Sequence, residues 1–319
     1  MIKKFKWKKL GNVFDPTKLE TPFWMHEFAQ APHVIIFEKF IRIYFSCRPK
    51  ADENGQYVSY SGFADFDKKN LLEPISISTQ PILELGELGT FDEFGTYPVS
   101  IIKNNDDFWG YYAGWTRCES VPFNTAIGLG ISKDNGVTFQ KVGLGPIISY
   151  SLQEPFVISG PKIRKFNNKF YLFYIAGSEW ILDNNKPEPV YKIRLAISDD
   201  GLTWEKQNLD LIESKTQDEA QASPDVFFRD GTYHMFFCYR SGKNYRGKEN
   251  GYRIGYASST NLIHWNRQDE LAGIDVSQNG WDSEMISYPH IVEVNGSTYM
   301  YYLGNSVGKN GFGLAILED

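Results

Sequence analysis

The sequence predicts an all-β protein folded as a five-bladed β-propeller, in which every blade is a four-stranded antiparallel sheet. Three observations predict this fold: a five-fold internal repeat, paired strands within each repeat, and an N-terminal segment that matches the last strand of a repeat. Repeated four-stranded units of this length are typical of propeller blades. We expect one domain over residues 1–319.

The repeat is marked by a proline that opens each first strand and recurs about every 64 residues. Behind each proline lie two strands of β-branched and aromatic residues, joined by a short turn rich in Asn, Asp and Gly. This arrangement indicates a tight hairpin. The five repeat prolines are Pro32, Pro98, Pro161, Pro224 and Pro289.

A second hairpin follows in most repeats and supplies the two outer strands. A strand of small residues ends in Ser, a polar turn follows, and an aromatic residue opens the fourth strand, as at Phe139, Trp204 and Trp265. We expect these aromatic residues to pack between blades. The turn over residues 132–139 resembles the Asp-box of sialidases, which is a structural element.

The two ends of the chain predict how the ring closes. The fifth repeat stops after its third strand at residues 313–317, and the segment around Trp7 is similar to a fourth-strand opening. We therefore expect the first strand to complete the last blade, because this removes an open sheet edge. A β-sandwich of many short strands is the alternative, but it explains neither the repeat nor the matching ends.

Composition excludes several classes of protein. With 33 Lys and Arg against 39 Asp and Glu, the net charge of -6 argues against a nucleic-acid partner. No stretch approaches the roughly 18 apolar residues of a membrane helix, and no apolar segment follows the N-terminal lysines. Three widely spaced cysteines predict neither disulfides nor a metal site. We expect a cytoplasmic protein with no cofactor, no metal and no membrane partner.

Aromatic residues make up 16% of the chain, and their flat faces suit sugar rings as well as pleated sheets. We expect a carbohydrate partner, and an anionic carbohydrate stays open. In a propeller, the loops that lead into the first strands meet at one rim of the central channel. The chemistry of these loops therefore predicts the site.

Acidic residues stand about five to seven positions before each repeat proline, in the segments that this symmetry gathers together. Crowded carboxylates raise the pKa of some members and leave others ionised, which is the condition for an acid and base pair. The alternative for each of them is a structural role that satisfies buried hydrogen bonds. The expected catalytic residues are Glu27, Glu93, Glu154, Glu219 and Glu284.

Arginines end several second strands, which return toward the same rim. They would hold some acids ionised or bind an anionic substrate through paired hydrogen bonds. Together with neighbouring residues they form the expected substrate-binding set: His26, Arg48, Asp92, Trp115, Arg117, Lys162, Asp218, Tyr239, Arg240, Trp281, Asp282 and Tyr288. We expect His33 and His290, on the inner strands, to be core histidines.

The strand openings at 30–35, 159–163 and 222–226 and the Ser-x-Asp-Gly-x-x-Trp turn at 198–204 resemble those of five-bladed propeller glycosidases of families 43, 32 and 68. The resemblance covers the whole chain. It implies a funnel in which three carboxylates from different blades act as nucleophile or base, as acid, and as an orienting group. It favours Glu27 and Glu219, from the first and fourth blades, as the reacting pair.

One departure from these families concerns the positions of the acids. The families place their acids one or two residues before such prolines, where this chain has no acid. Those positions hold Gln30 and Ala31, Thr96 and Tyr97, Ser159 and Gly160, Ala222 and Ser223, and Ser287 and Tyr288. A divergent member with relocated carboxylates is one explanation.

A changed reaction is the other explanation. The related mannoside phosphorylases of family 130 use phosphate as the nucleophile, with one carboxyl group and a cationic cluster. Arg48, Arg117, Lys162 and Arg240 could form such a cluster.

Three hypotheses for function follow. The first is a glycoside hydrolase that uses carboxylate acid/base chemistry in the central funnel. The second is a glycoside phosphorylase or glycosyl transferase on the same fold, which phosphate dependence would distinguish. The third is a non-catalytic propeller that binds carbohydrate or protein.

Overall fold

The chain forms five antiparallel sheets of four strands each, arranged as the blades of a propeller, in a computed structural model that describes residues 3–318. From the inside outward, the first blade consists of β2 (Glu27–Ile36), β3 (Phe40–Arg48), β4 (Tyr60–Asp67) and β5 (Asn70–Ile77). The second consists of β6 (Thr96–Asn104), β7 (Asp107–Arg117), β8 (Phe123–Ser132) and β9 (Gln140–Lys141). The third consists of β10 (Phe156–Phe166), β11 (Lys169–Asp183), β12 (Lys186–Ser198) and β13 (Glu205–Lys206).

The last two blades are β14 (Ala220–Arg229), β15 (Thr232–Arg240), β16 (Arg253–Ser259) and β17 (Asn266–Arg267), and then β18 (Ser287–Val294), β19 (Ser297–Leu303), β20 (Phe312–Leu317) and β1 (Trp7–Phe14). Among the described residues, helical structure is confined to single turns at Pro16–Lys18, Phe23–Met25, Asp269–Leu271 and Asn305–Gly308. Within residues 3–318, no helix has the length and apolar character needed to cross a membrane.

The innermost strands contact one another in a closed cycle, which runs from β2 through β6, β10, β14 and β18 and back to β2. The first strand of the chain completes the fifth blade, where Trp7 pairs with Leu317 and Phe14 with Phe312. The predictions of a five-bladed propeller and of its closure by the N-terminal strand are confirmed.

The blades pack on one another through the aromatic residues that precede or open the fourth strands. Each ring meets an aromatic side chain on the second strand of the preceding blade in an edge-to-face arrangement, which favours contact between the positive edge of one ring and the negative face of the other. The pairs are Phe139 with Tyr44, Trp204 with Tyr111, Trp265 with Phe173, and Trp7 with Phe236.

The polar turns before the fourth strands satisfy their own backbone. In the second blade, the Ser132 hydroxyl accepts a hydrogen bond from the Gly136 amide at 2.9 Å, and the Asp134 carboxylate accepts one from the Thr138 amide at 3.0 Å. The same use of Ser and Asp or Asn recurs in the third and fourth blades. These turns are structural, as the sequence predicts.

The first strand of each blade is distorted beside its repeat proline. Ala31, Gly160, Ser223 and Tyr288, each directly before a proline, have φ values of 53°, 59°, 51° and 53°. Left-handed backbone is uncommon for residues other than glycine and recurs at functional sites. The strand register shifts at the same places. Residues around these prolines therefore line the axis at one end of the ring.

Candidate functional site

A funnel of about 1100 Å³ opens on the propeller axis, and all five innermost strands contribute to its lining. Its floor is formed by the residues around the repeat prolines. Its walls come from the loop over residues 49–59, the extended hairpin of β11 and β12, and the loop over residues 241–252. Deep pockets lined by apolar groups and a few convergent polar groups are typical of ligand sites.

Beneath the floor, a buried polar network centred on Asp225 joins the blades. Arg164 donates to the Asp225 carboxylate at 2.5 Å, His290 Nδ1 lies 3.1 Å from it, and the Ile291 amide donates to it at 2.7 Å. Burial raises the pKa of Asp225, but the charge of Arg164 and the contact with His290 outweigh this and hold the pKa well below its usual range.

The two axial histidines are neutral members of this network. Burial lowers the pKa of His290 to about 4, against the attraction of Asp225, and its Nε2 accepts a hydrogen bond from the Val34 amide. Burial also lowers the pKa of His33 well below its usual value, and His33 Nε2 donates to the Ile101 carbonyl at 2.7 Å. Both are core histidines by placement, in agreement with the sequence expectation.

Lys162 lies at the junction between this network and the funnel. It lines the funnel with only 4% of its surface exposed, and its Nζ has no hydrogen-bond partner among the described residues. The nearest carboxylate oxygen, on Asp225, is 3.9 Å away. Burial lowers the pKa of Lys162 to about 8 although Asp225 opposes the shift. A buried lysine without such a partner is rare in proteins.

The wall formed by the first two blades carries two arginines. The Arg48 guanidinium lies 4.5 Å from the centre of the Phe28 ring and donates to Gln30 at 3.3 Å. Arg117 packs on the Phe94 ring and donates to the Tyr57 carbonyl at 3.2 Å. Both side chains line the funnel and keep some donor capacity for a ligand.

The wall formed by the third and fourth blades carries a buried carboxylate, Glu188, near the tip of the β11–β12 hairpin, where it pairs with Ile181. Only 5% of Glu188 is exposed, and Arg246 and Tyr245 donate to its two oxygens at 2.6 and 2.9 Å. Nearby, Arg240 donates to Tyr252 and to two backbone carbonyls, those of Ser241 and Pro189. Arg240 thus shapes the wall, while Glu188 presents a charged group to the funnel.

A row of aromatic side chains runs along the wall between the second and third blades. Tyr97 stacks on Trp115 with ring centres 5.7 Å apart, Trp115 lies 4.3 Å from Phe123, and Phe123 meets Trp180 at 5.6 Å. The Trp115 indole donates to the Tyr97 carbonyl, which fixes its orientation. Such a row gives the wall apolar ring surface against which a sugar can pack.

Six of the seventeen residues predicted for the site line the funnel. They are Arg48, Trp115, Arg117, Lys162, Arg240 and Tyr288. In the described part of the chain, none of the five predicted catalytic glutamates lines the funnel. These glutamates are Glu27, Glu93, Glu154, Glu219 and Glu284. The carboxylates that do line it within residues 3–318 are Glu119 and Glu188.

Three of the predicted acids are held inside their own blades by a repeated contact that we call the blade staple. A basic residue of the fourth strand and a tyrosine of the second strand bind one carboxylate. The blade staples are Asp92 with Lys141 and Tyr112, Glu154 with Lys206 and Tyr174, and Asp282 with Lys9 and Tyr302, with cation–carboxylate distances of 2.6, 2.5 and 2.6 Å.

The fourth blade has its own version of the blade staple. Glu219 accepts from Arg267 at 2.7 Å and from Gln221 at 2.8 Å, and it is buried. Tyr239 lies beside it, with the Arg267 guanidinium 4.6 Å from its ring. The adjoining Asp218 faces Ser241 and Thr216 instead of the funnel. The placement of these three residues gives no support to contact with a substrate.

The first blade replaces the blade staple with an apolar side chain. Trp24 is buried against Gly62, where the other blades bring an acid toward the outer strands. The sequence does carry a signal for the pattern, since the aromatic-x-basic openings at 7–9, 139–141, 204–206 and 265–267 place a cation at the same point of four blades. A buried cation of this kind requires an acid nearby.

The remaining predicted residues lie near the rim. The Glu27 carboxylate lies 3.5 Å from the Lys309 ammonium. Glu27 also contacts the phenol of Tyr57, which lines the funnel, and this contact is the main cause that raises the pKa of Tyr57. Glu93 accepts from the Gly89 amide in its own loop. Of the others, His26 and Glu284 are exposed, and Trp281 packs on Tyr302.

Sequence reasoning missed several funnel residues. They are Gln30, Tyr57, Glu119, Glu188, Tyr191, Ser223, Tyr245, Arg246 and Tyr252. Most come from wall segments outside the repeated strand openings. The unusual length of the β11–β12 hairpin was the available signal for Glu188, because an extended hairpin in one blade alone breaks the repeat.

No protein-family model matches the chain. Two proteins of Mycobacterium tuberculosis, the Uncharacterized protein MT1551 of strain CDC 1551 / Oshkosh and the Uncharacterized protein Rv1502 of strain ATCC 25618 / H37Rv, are each 34% identical over 316 residues, which covers 98% of this chain and 99% of theirs. A beta-1,2-mannobiose phosphorylase of Thermoanaerobacter sp. (strain X514) is 23% identical over 171 residues, covering 50% of this chain and 52% of that protein.

Solved structures share the fold over nearly the full length. A protein described as a glycoside hydrolase aligns with a TM-score of 0.76 at 16% identity and covers 98% of this chain and 92% of its own. A thermostable family-43 glycoside hydrolase aligns with a TM-score of 0.64 at 14% identity over 92% and 88% of the two chains.

A third structure comes from the GH130 family of mannoside phosphorylases, described as containing glycoside hydrolases that target beta-1,2 mannosidic linkages in Candida mannan. It aligns with a TM-score of 0.71 at 14% identity over 99% and 94% of the two chains. The chain therefore has the fold that propeller glycoside hydrolases and phosphorylases share.

Proposed function

Because this chain belongs to the same family as the uncharacterised Mycobacterium tuberculosis protein Rv1502 and has the fold of propeller glycoside hydrolases and phosphorylases, we propose that it is a glycan-active enzyme. Its substrate is a carbohydrate that enters the axial funnel, and the reaction cleaves or transfers a glycosyl unit there. Fold alone does not determine chemistry, so the proposal depends on the groups that line the funnel.

The observation that carries the proposal is the combination of an aromatic row and a buried carboxylate on the funnel walls. Trp115, which is half-buried and packed on Tyr97, presents apolar ring surface, and Glu188 presents a carboxylate with little exposure to water. Sugar rings pack on aromatic faces through their C–H surfaces, and a positioned carboxyl group moves protons in glycosyl transfer.

Hydrolysis is the first form of the reaction. A water oxygen attacks the anomeric carbon, the bond from this carbon to the leaving oxygen breaks, and one proton moves from the water to the leaving oxygen. Glu188 is the group we assign to proton transfer in this step, with Tyr245 and Arg246 holding its orientation. Glu27, which contacts the funnel residue Tyr57 from outside the lining, is the second carboxylate that we consider for this role.

Phosphorolysis is the second form, and the charge of the funnel favours it. Among the described lining residues, six are Lys or Arg and two are Glu. In this form an oxygen of hydrogen phosphate attacks the anomeric carbon, the same bond breaks, and the proton of the hydrogen phosphate moves to the leaving oxygen. The products are a sugar phosphate and a shortened glycan. Arg48 and Arg117 lie on one wall with donor capacity that suits a phosphate group.

The experiment is a Glu188→Gln variant assayed on a panel of oligosaccharides with and without inorganic phosphate. We expect the variant to lose roughly 100-fold or more in kcat, because the amide cannot exchange the proton. Glu205→Gln is the matched control, since Glu205 is an exposed glutamate of the same blade, and we expect turnover within twofold of the wild type. Full activity in Glu188→Gln would remove Glu188 from the mechanism.

The same assay separates the two forms of the reaction. Release of free sugar at an unchanged rate without phosphate supports hydrolysis. Phosphate-dependent release of a sugar phosphate supports phosphorolysis. A chain that binds oligosaccharides but turns none over in either condition would contradict the enzyme proposal and favour a carbohydrate-binding propeller.

A further inference from the structure

The floor of the funnel contains two buried polar side chains whose hydrogen-bonding capacity is unused. Lys162 Nζ has no hydrogen-bond partner within residues 3–318, and neither does the Ser223 hydroxyl. Both residues line the funnel and both are at least nine-tenths buried. Unsatisfied buried groups lower stability, so their retention at a pocket points to a ligand that completes them.

The backbone of the floor is also held in an uncommon conformation. Ser223 has a φ of 51° directly before Pro224, in the distorted opening of β14. Ser223 lines the cavity together with Ser159 and Tyr288. These neighbours are neutral hydroxyl groups that can donate hydrogen bonds.

The charge of the floor determines which ligand fits. Beneath it, Arg164 and Asp225 form an ion pair at 2.5 Å, and the two axial histidines are neutral. The charge of Lys162 is then left over, because Asp225 is already bound by Arg164, His290 and a backbone amide. The surplus positive charge of Lys162 matches the single negative charge of a carboxylate.

We propose that the floor of the funnel binds the carboxylate of an acidic sugar, with Lys162 Nζ and the Ser223 hydroxyl as its donors. This inference rests on the proposed function, since it names the class of sugar that the same funnel accepts. The lowered pKa of Lys162 agrees with a site that lacks its anion, and a bound carboxylate would favour the charged ammonium. Affinity should therefore fall as the pH rises above about 8.

The test is calorimetric titration of the full chain at pH 7 with D-glucuronate and D-galacturonate, and with D-glucose and D-galactose as neutral matches. We expect at least one acidic sugar to bind tenfold or more tightly than its neutral match. In Lys162→Met this preference should be lost, and in Ser223→Ala it should fall several-fold. Binding is measured without turnover, so failure of the proposed enzyme activity would leave this result intact, and the reverse also holds.

Two matched controls accompany these variants. Lys165→Met removes an exposed lysine of the same strand, and Ser287→Ala removes a buried serine hydroxyl of the fifth blade that also lacks a partner in the described chain but lies outside the funnel lining. Both should keep the preference for the acidic sugar. Lys162→Met should also melt at a higher temperature than the wild type without ligand, because it removes an unpaired buried charge.

Several results would overturn the proposal. Equal affinity for acidic and neutral sugars in both pairs would do so, as would an unchanged preference in Lys162→Met. A Lys162→Met protein that unfolds or melts earlier would make Lys162 a structural residue, and Ser223→Ala would then decide the binding question independently. Inorganic phosphate that binds in a Lys162-dependent way and displaces the acidic sugar would assign the floor to phosphate instead.

Discussion

The blade staples and the funnel floor both bury ionisable side chains, but they treat them in opposite ways. In a blade staple, Glu154 is fully buried and both of its oxygens are occupied, by Lys206 and by Tyr174. At the floor, Lys162 is almost as deeply buried and its ammonium has no hydrogen-bond partner in the described chain. Burial alone therefore does not identify a functional group in this molecule; Lys162 is distinguished by unused hydrogen-bonding capacity together with a place in the funnel lining.

The largest effect expected from this comparison is the loss of a blade staple. Lys206→Met leaves the Glu154 carboxylate buried without its cation, and we expect a loss of about 3–5 kcal/mol in the free energy of unfolding, measured by urea denaturation. The double variant Lys206→Met with Glu154→Leu should recover most of this loss, because no charge stays buried. Lys165→Met, at an exposed position of the same blade, should change stability by less than about 0.5 kcal/mol.

If Lys206→Met were as stable as the wild type, the blade staple would contribute no net stability. The distinction between paired and unpaired groups would then lose its energetic basis. The double variant guards against a trivial loss of packing, because it keeps the changed lysine position and removes only the charge.

A smaller effect is expected from the axial network on acidification. The pKa of His290 is about 4 in the folded protein against 6.5 for a free histidine, so the unfolded chain binds more protons between these values. Stability should therefore decrease as the pH falls from about 7 to 4, by up to about 3 kcal/mol for this residue. The lowered pKa of His33 adds to the loss over the same range, and the lowered pKa of Asp225 adds a further loss mainly below pH 4.

Melting temperatures between pH 4 and 7 measure this dependence. His290→Gln should flatten the curve relative to the wild type, and His264→Gln, which removes an exposed histidine, should not. A curve of equal slope in wild type and His290→Gln would show that the axial histidine does not stay neutral in the folded protein.

The smallest effect is expected on the funnel wall, where binding changes without a change in folding. Trp115→Ala removes part of the aromatic row, and we expect KM to rise about fivefold to tenfold with kcat nearly unchanged, since a stacking contact contributes about 1 kcal/mol. Phe228→Ala removes an exposed aromatic residue of β14 and should leave KM unchanged. A loss confined to kcat would place Trp115 in the reaction instead of in binding.

The fold could be predicted from the sequence because its determinants recur. Repeat prolines, aromatic strand openings and polar turns each appear several times, so the prediction does not depend on a match in any single blade. The ring closure followed from the same logic, since the opening at Trp7 matched its counterparts in other blades. A single domain over the whole chain, a cytoplasmic location and the absence of nucleic-acid partners stay predictions.

The site was only partly predictable. Arg48, Arg117 and Arg240 end second strands, whose register is fixed by pairing, and they line the funnel. The acids of the other four blades lie in loops, whereas Glu27 opens β2, and the distance from the repeat proline differs between the stapled acids, so spacing could not show which way a side chain points. In four blades the acid points toward the fourth strand, because a lysine or arginine of that strand binds its carboxylate. Glu219 is the acid of the fourth blade.

Glu188 could not be found by comparing repeats, because it lies on a hairpin that one blade extends beyond the others. The surplus charge of Lys162 could not be predicted from the sequence either, because it depends on which cation the Asp225 carboxylate binds in the folded protein. Lys162 and Arg164 are both basic residues of β10, and only their distances of 3.9 and 2.5 Å from Asp225 separate them.

The fifth blade combines β1 with β18, β19 and β20, so the opposite ends of the polypeptide share one sheet. During synthesis, β1 cannot pair with β20 until the chain has been made as far as Leu317. Four blades can be assembled while this strand is still free, and the final step joins segments separated by almost the whole chain. Such a contact costs the most loop entropy, and it leaves an unfinished intermediate with two open sheet edges available to other chains.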